Sequence, residues 1–292
     1  MRRSIHGLLV DLDGTVYQGS SLIEGARETV AALRERAMPF LFTTNTSRKS
    51  RRDVTELLRG LGLDAWEEEI FTAPTAAVEW LRAKGLRRVQ LLVPESTHAD
   101  FGEFEITDRG PEAVLVGDLG TGFTFERLNE AFRSLRAGAR LVAIHRNRFW
   151  LPEGGPTLDA GPFVRALEYA SGTEAVLVGK PAPAFFAAAA ARLGLAPAEL
   201  AVVGDDAESD IRGGRAAGLF TVQVRTGKGD PALGPGPGGE KSAGRVIPSL
   251  RELPGCLPGA GRRSWPPLHG PEPAPAGSAH PVVLPSPAQR RP

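Results

Sequence analysis

Residues 5–15 read Ile-His-Gly-Leu-Leu-Val-Asp-Leu-Asp-Gly-Thr, and the fold is decided by how this stretch is read. Ile5 to Val10 is a short, largely apolar run of the kind that forms a strand buried on both faces, and it ends on acids. In an open parallel sheet the carboxyl ends of the strands form the ligand crevice, which is where Asp11 and Asp13 are predicted to stand. Two carboxylates spaced by one residue can divide a reaction between them. One can attack phosphorus while the other gives a proton to the leaving oxygen and later activates water. Gly14 lets the chain turn away. The plainer alternative is that these acids only cap a strand-to-loop transition.

Outward from this stretch, short apolar runs alternate with amphipathic ones. Residues 24–37 read as a helix, 39–43 as a strand, and 47–61 as a helix with Ser47 or Ser50 near its N-cap and Gly62 near its end. A second series follows: a helix over 75–84, strands over 89–93 and 113–116, a helix over 125–136, a strand over 141–144 and a helix over 161–170. Residues 175–178, 201–203 and 221–224 read as three further buried strands. Strands alternating with helices at this spacing predict an α/β fold with a doubly wound parallel sheet covered on both faces.

The composition narrows the function classes. The chain has 292 residues, 41% hydrophobic and 24% charged, as a soluble globular protein with a sizeable core requires. Its 35 Lys+Arg against 34 Asp+Glu give a net charge of +1 and no electrostatic footprint for nucleic acid or an anionic membrane. Cys256 is the single cysteine, which excludes an internal disulfide and fits a reducing cytosol. No apolar run approaches the roughly 20 residues that span a bilayer, and the apolar segment that follows Arg2 and Arg3, Leu8 to Val10, is interrupted at once by Asp11, so a cytoplasmic protein is expected. From about residue 229 Gly and Pro accumulate. Residues 257–292 are expected to form a disordered Pro-rich tail, with a Pro-rich partner-binding segment as the sharper alternative.

Three more constellations follow predicted strands. Thr43-Thr44-Asn45-Thr46-Ser47 offers hydroxyl and amide donors before a helix N-terminus, a cradle for phosphoryl oxygens that ordinary N-capping would also satisfy. Arg48, Lys49, Arg51 and Arg52 after it read as a solvated helix face. Lys180, in Gly179-Lys180-Pro181, can neutralise a nucleophilic carboxylate and a transferring phosphate together. Gly204-Asp205-Asp206-Ala207-Glu208-Ser209-Asp210 clusters hard oxygens suited to Mg²⁺. Asp205 at the strand end is assigned to the metal and Asp210, about a helical turn on, to its support; Asp206 and Glu208 are expected to be exposed. Two carboxylates beside a dianionic phosphate are unworkable without a divalent cation and a lysine. His145, Arg146 and Asn147, with Asp118 and Asp159, end predicted elements of the middle region. A structural or exposed role is expected for them rather than substrate contact.

With these four motifs in this order, the chain resembles the haloacid dehalogenase (HAD) superfamily over residues 5–255. Asp11 to Thr15 matches its first motif, Thr44 its second, Lys180 its third and Gly204 to Asp210 its fourth. The long stretch between Thr44 and Lys180 is where subclass IIA, with a large α/β cap, carries its insertion. The resemblance therefore implies core parts at 1–77 and 175–256 and a cap at 78–174. TTNTSRKSR, AIHRNRFW, GPFVRALEYASG, VGKPAPAFF and VRTGK resemble the branch containing phospholysine phosphohistidine inorganic pyrophosphate phosphatase and haloacid dehalogenase-like hydrolase domain-containing protein 2. Asp13 stands where members of that branch can carry Ser, which favours acid–base catalysis and weakens the transfer of phosphoamide substrates.

The resemblance implies a phosphatase acting on small phosphorylated metabolites: phosphoesters, with phosphoamides and pyrophosphate as the branch's further substrates. It implies Asp11 as nucleophile through an aspartyl-phosphate and Asp13 as acid and base. Mg²⁺ would be held by Asp11, the backbone carbonyl of Asp13 and Asp205. Thr44, Asn45 and Lys180 would hold the phosphoryl oxygens. A homodimer is an expectation of the resemblance alone. The rivals are a phosphotransferase or mutase with the same Asp11 chemistry, a dehalogenase, which needs neither Asp13 nor magnesium, and a catalytically silent binding module.

Overall fold

The computed structural model of the chain describes residues 4–150, 155–230 and 244–257. The expected Pro-rich tail lies outside these residues beyond its first position. Two parallel sheets organise the structure. The larger has six strands in the spatial order Arg245–Ile247, Phe220–Val224, Leu200–Gly204, Gly7–Asp11, Phe40–Thr44 and Ile70–Thr72. The predicted strand at 5–10 is thus central, with Leu8 paired to Ala201 on one side and to Phe40 on the other.

The side chains show why this run is apolar throughout. Successive strand residues point to opposite faces, and both faces are covered. Leu8 and Val10 enter a core with Val30, Leu33, Phe42, Leu58 and Val203, while Leu9 enters another with Leu41, Phe71, Phe185, Phe186 and Val202. The second core is tightened by Phe185, whose ring meets Phe71 and Phe186 edge to face.

The smaller sheet repeats the scheme with five strands in the order Val176–Leu177, Arg140–Ala143, Ala113–Val116, Arg88–Leu92 and Glu105–Ile106. Its neighbours pair in parallel, with Val89 opposite Ala113 and Val114 opposite Leu141. Val89, Leu91, Leu115 and Val142 fill one face, and Leu92, Val114, Val116 and Leu141 the other. The amphipathic helices Phe125–Arg136 and Ala160–Ser171 cover the second face.

One predicted strand falls elsewhere than expected. Residues 175–178, read as a buried strand opening the second core part, form only Val176–Leu177 and pair with Val142 and Ala143 of the smaller sheet. Val178 N continues that ladder to Ala143 O at 3.0 Å. The run is apolar because it is an edge strand of this sheet, and Val176 remains 40% exposed.

The helix after Phe40–Thr44 begins later than residue 47. It spans Arg51–Gly60, and Ser50 is its N-cap, exchanging hydrogen bonds with Asp53 in a capping box. Ser47 is therefore released from capping. No helix among the described residues is long and apolar enough to cross a membrane.

Candidate active site

The carboxyl ends of the central strands converge. Asp11 closes Gly7–Asp11 and is buried. Lys180 reaches it from the far part of the chain, its Nζ donating to Asp11 Oδ1 at 2.5 Å and to Asp210 Oδ1 at 2.6 Å. The Thr15 hydroxyl donates to Asp11 Oδ2 at 3.3 Å. Asp205 follows Leu200–Gly204, and its Oδ2 accepts the Lys228 amide at 2.7 Å. Gly14 lies so close that a Cβ there would come 2.2 Å from Asp205 Oδ2, and its φ of 78° lies in the left-handed region. Both facts require glycine at this turn.

Asp11, Asp205 and Asp210 present carboxylate oxygens that all lie within 4.8 Å of one another. Burial, then the charges of Asp11 and Asp210, push Asp205 up to about 8. Burial and the charge of Asp11 push Asp210 up to about 7. Burial also raises Asp11, against the opposing pull of Lys180. Burial alone would lower Lys180, but Asp11 and Asp210 outweigh it and hold the ammonium above its ordinary range. The Lys180 ammonium thus pairs with two of three buried carboxylates, and Asp205 and Asp210 hold protons up to about pH 8 and about pH 7 where no further cation meets them. Such an all-oxygen set fits a hard divalent cation such as Mg²⁺.

The other predicted residues divide. Asp13 is exposed and its side chain stands outside the carboxylate cluster; its main chain bridges to Tyr17. Thr44 is buried at the end of Phe40–Thr44, its Oγ1 accepting Thr46 N at 3.1 Å. Asn45 spends its side chain on the Lys180 peptide: Nδ2 donates to Lys180 O and Oδ1 accepts from Lys180 N, both at 2.9 Å. Glu208 is exposed, as expected. Asp206 is half-buried, where burial works to raise its carboxyl but the Lys228 ammonium at 2.8 Å outweighs it and holds it at about 2.

Lys228 and Thr226, whose hydroxyl donates to Gly14 O at 2.6 Å, lie in the VRTGK segment of the resemblance but were given no role from the sequence. Their signal was available. They follow Phe220–Val224 at its carboxyl end, as the other motifs follow their strands. His145, Asp118 and Asp159 are all buried, and Asn147 is exposed.

Family models agree with this arrangement of strands and acids. One described as haloacid dehalogenase-like hydrolase matches residues 8–107, and one described as HAD-hydrolase-like matches residues 177–253. Rat haloacid dehalogenase-like hydrolase domain-containing protein 2 is 41% identical over 227 residues, covering 78% of this chain and 86% of its own. The chain belongs to the haloacid dehalogenase-like hydrolase family. Bovine phospholysine phosphohistidine inorganic pyrophosphate phosphatase is 37% identical over 234 residues, covering 78% and 86%. Among solved structures, p-nitrophenyl phosphatase from Archaeoglobus fulgidus superposes with a TM-score of 0.80 at 29% identity, covering 87% of this chain and all of that one.

Proposed function

We propose that this protein is a Mg²⁺-dependent phosphatase that hydrolyses small phosphorylated metabolites through an aspartyl-phosphate on Asp11. The observation that carries this reading is the Asp11–Lys180–Asp210 arrangement at the ends of parallel strands, with Asp205 beside it. The phosphatases similar to this chain point to the same reaction.

Asp11, the main-chain carbonyl of Asp13 and Asp205 would hold the cation, with Asp210 in support. Bound there, Mg²⁺ supplies positive charge for the phosphoryl oxygens. Lys180 orients the Asp11 carboxylate and screens its approach to a phosphate dianion. An Asp11 oxygen attacks phosphorus, the bond from phosphorus to the leaving oxygen breaks, and Asp13 gives that oxygen its proton. Asp13 then takes a proton from the water that attacks the aspartyl-phosphate. Inorganic phosphate leaves and the Asp11 carboxylate is restored.

The Thr44 hydroxyl and the Asn45 main-chain N–H bind the transferring phosphoryl oxygens, while the Asn45 side chain pins the Lys180 peptide. The smaller sheet, within residues 78–174 and the edge strand after them, acts as the cap that limits which leaving groups enter.

The test is phosphate release from p-nitrophenyl phosphate, a panel of metabolite phosphoesters, phospholysine, phosphohistidine and pyrophosphate, with and without Mg²⁺. Metal-dependent release that falls at least about 10⁴-fold in Asp11→Asn is expected. Release that survives this substitution removes Asp11 as nucleophile.

A further inference from the structure

The loop that leaves Phe40–Thr44 is held at two points. Asn45 ties it to Lys180, and two residues later Ser47 ties it to the smaller sheet. Ser47 Oγ accepts the Asp118 amide at 2.7 Å and lies 3.0 Å from His145 Nε2. Its carbonyl accepts the Thr97 hydroxyl at 2.8 Å. Each of these three partners follows a strand of the smaller sheet: Thr97 after Arg88–Leu92, Asp118 after Ala113–Val116, and His145 after Arg140–Ala143. One serine therefore touches the segments that follow three adjacent parallel strands.

Ser47 Oγ carries one hydrogen and two lone pairs, so while accepting from Asp118 N it can pair with either tautomer of His145, donating to a bare Nε2 or accepting from a protonated one. On the other side of the ring, His145 Nδ1 faces Asp159 Oδ1 at 3.6 Å. The side chain of Asp118 adds an outer tie, accepting Arg48 Nε at 2.6 Å and Arg48 Nη2 at 3.2 Å. The fit is close as well as polar, since a Cβ on Gly117 would come 2.7 Å from both Cβ and Oγ of Ser47.

We infer that Ser47 and His145 are positioning residues that register the smaller sheet against the phosphate-binding loop, so that Thr44 and Asn45 meet the phosphoryl group only with the cap seated. The inference rests on the phosphatase reading above. Ser47 is too buried to meet substrate itself, and it acts through the short segment joining it to Asn45 and Thr44. Small displacements of a group that orients a reacting centre cost rate far more than affinity.

The experiment compares Ser47→Ala, His145→Leu, His145→Gln and the Ser47→Ala/His145→Leu double variant with the wild type, using p-nitrophenyl phosphate and Mg²⁺ well below each variant's Tm. Ser47→Ala and His145→Leu are each expected to lower kcat roughly tenfold or more, from a lost buried hydrogen bond and the group it leaves unpaired, with KM moving far less. His145→Gln, whose amide can either accept from Ser47 or donate to it, should recover most of the loss. The double variant should fall no further than the worse single one. If Ser47→Ala does not fold, the His145→Leu and His145→Gln pair decides the matter alone.

Lowered Tm with wild-type kcat and KM, or losses that multiply in the double variant, would overturn the inference and leave the phosphatase reading intact. A wild type that releases no phosphate from the substrate panel, or release that survives Asp11→Asn, overturns that reading and the inference with it.

Discussion

At the carboxyl edge of the six-stranded sheet Asp11 and Asp210 share one ammonium with Asp205 beside them, whereas at the carboxyl edge of the five-stranded sheet Thr97, Asp118 and His145 are joined through one serine. Both sheets are parallel, both are apolar on two faces, and both place polar side chains where the strands end. The difference lies in charge balance. The first cluster has more carboxylates than its own cation pairs, so it takes up protons when no other cation is there, which is the condition of a site that binds something positive. The second is closed by neutral hydrogen bonds and an ion pair at its rim, which is the condition of a joint. A polar cluster at strand ends is therefore diagnostic of ligand binding only after its charges have been summed.

The sharpest way to break this contrast is through the acid that stands apart from both clusters. Asp13→Asn should lower turnover by roughly 10²–10⁴-fold, the range for a lost general acid–base. It should leave the stabilisation by Mg²⁺ intact, because only the Asp13 backbone is assigned to the metal. Turnover equal to wild type removes Asp13 from the mechanism. Next comes Lys180→Met, which strips the carboxylate cluster of its ammonium. Breaking a buried ion pair from one side costs about 3–5 kcal/mol, to be read by thermal or denaturant unfolding at pH 7. A loss below about 1 kcal/mol, the range of exposed pairs, would mean that the pair is solvated in solution.

The smallest effect separates the clusters by pH. Asp205 and Asp210 are raised from 3.8 to about 8 and about 7, so between about pH 4 and 8 the folded protein binds more protons than the unfolded chain. Without metal, their contribution to stability falls as pH rises through that window, and the gain in Tm from Mg²⁺ should grow over it. His145 has the opposite sign. Burial holds it below its ordinary 6.5, so its contribution is complete above that pH and is lost as pH falls. Melting curves in EDTA and in Mg²⁺ at pH 5.5, 7 and 8.5 would show both slopes, and His145→Gln should flatten only the acidic one. A Mg²⁺ effect independent of pH would contradict the proton-loaded carboxylate cluster.

Much of this was legible in the sequence because burial on both faces writes itself as an uninterrupted apolar run. The strands at 7–11, 113–116, 200–204 and 220–224 lie where those runs lie. Ile70–Thr72 was missed because three residues carry no periodicity, and Glu105–Ile106 because an exposed two-residue edge strand has no apolar signature. Arg245–Ile247 was hidden by the Gly- and Pro-rich composition before it.

Asp11, Lys180, Asp205 and Asp210 could be found because each stands at or soon after the end of a run. The pairing of Lys180 with both Asp11 and Asp210 could not, since it joins residues 169 and 30 positions apart. Nor could the part played by Ser47. A serine before a helix reads as an N-cap, and only the true cap at Ser50 frees Ser47 for the second sheet.

The strand order has a consequence for how the protein is made. Gly7–Asp11 pairs with Phe40–Thr44 on one side, but its other neighbour is Leu200–Gly204. A chain emerging from the ribosome therefore holds its first strand with one edge unpaired until some 190 residues have followed. Meanwhile the five-stranded sheet, all of it within residues 88–177, can close on local contacts. Lys180, Asp205 and Asp210 arrive only after it. The nascent protein thus completes its five-stranded sheet first and the surroundings of Asp11 last, and no partial chain short of residue 210 carries the assembled carboxylate cluster.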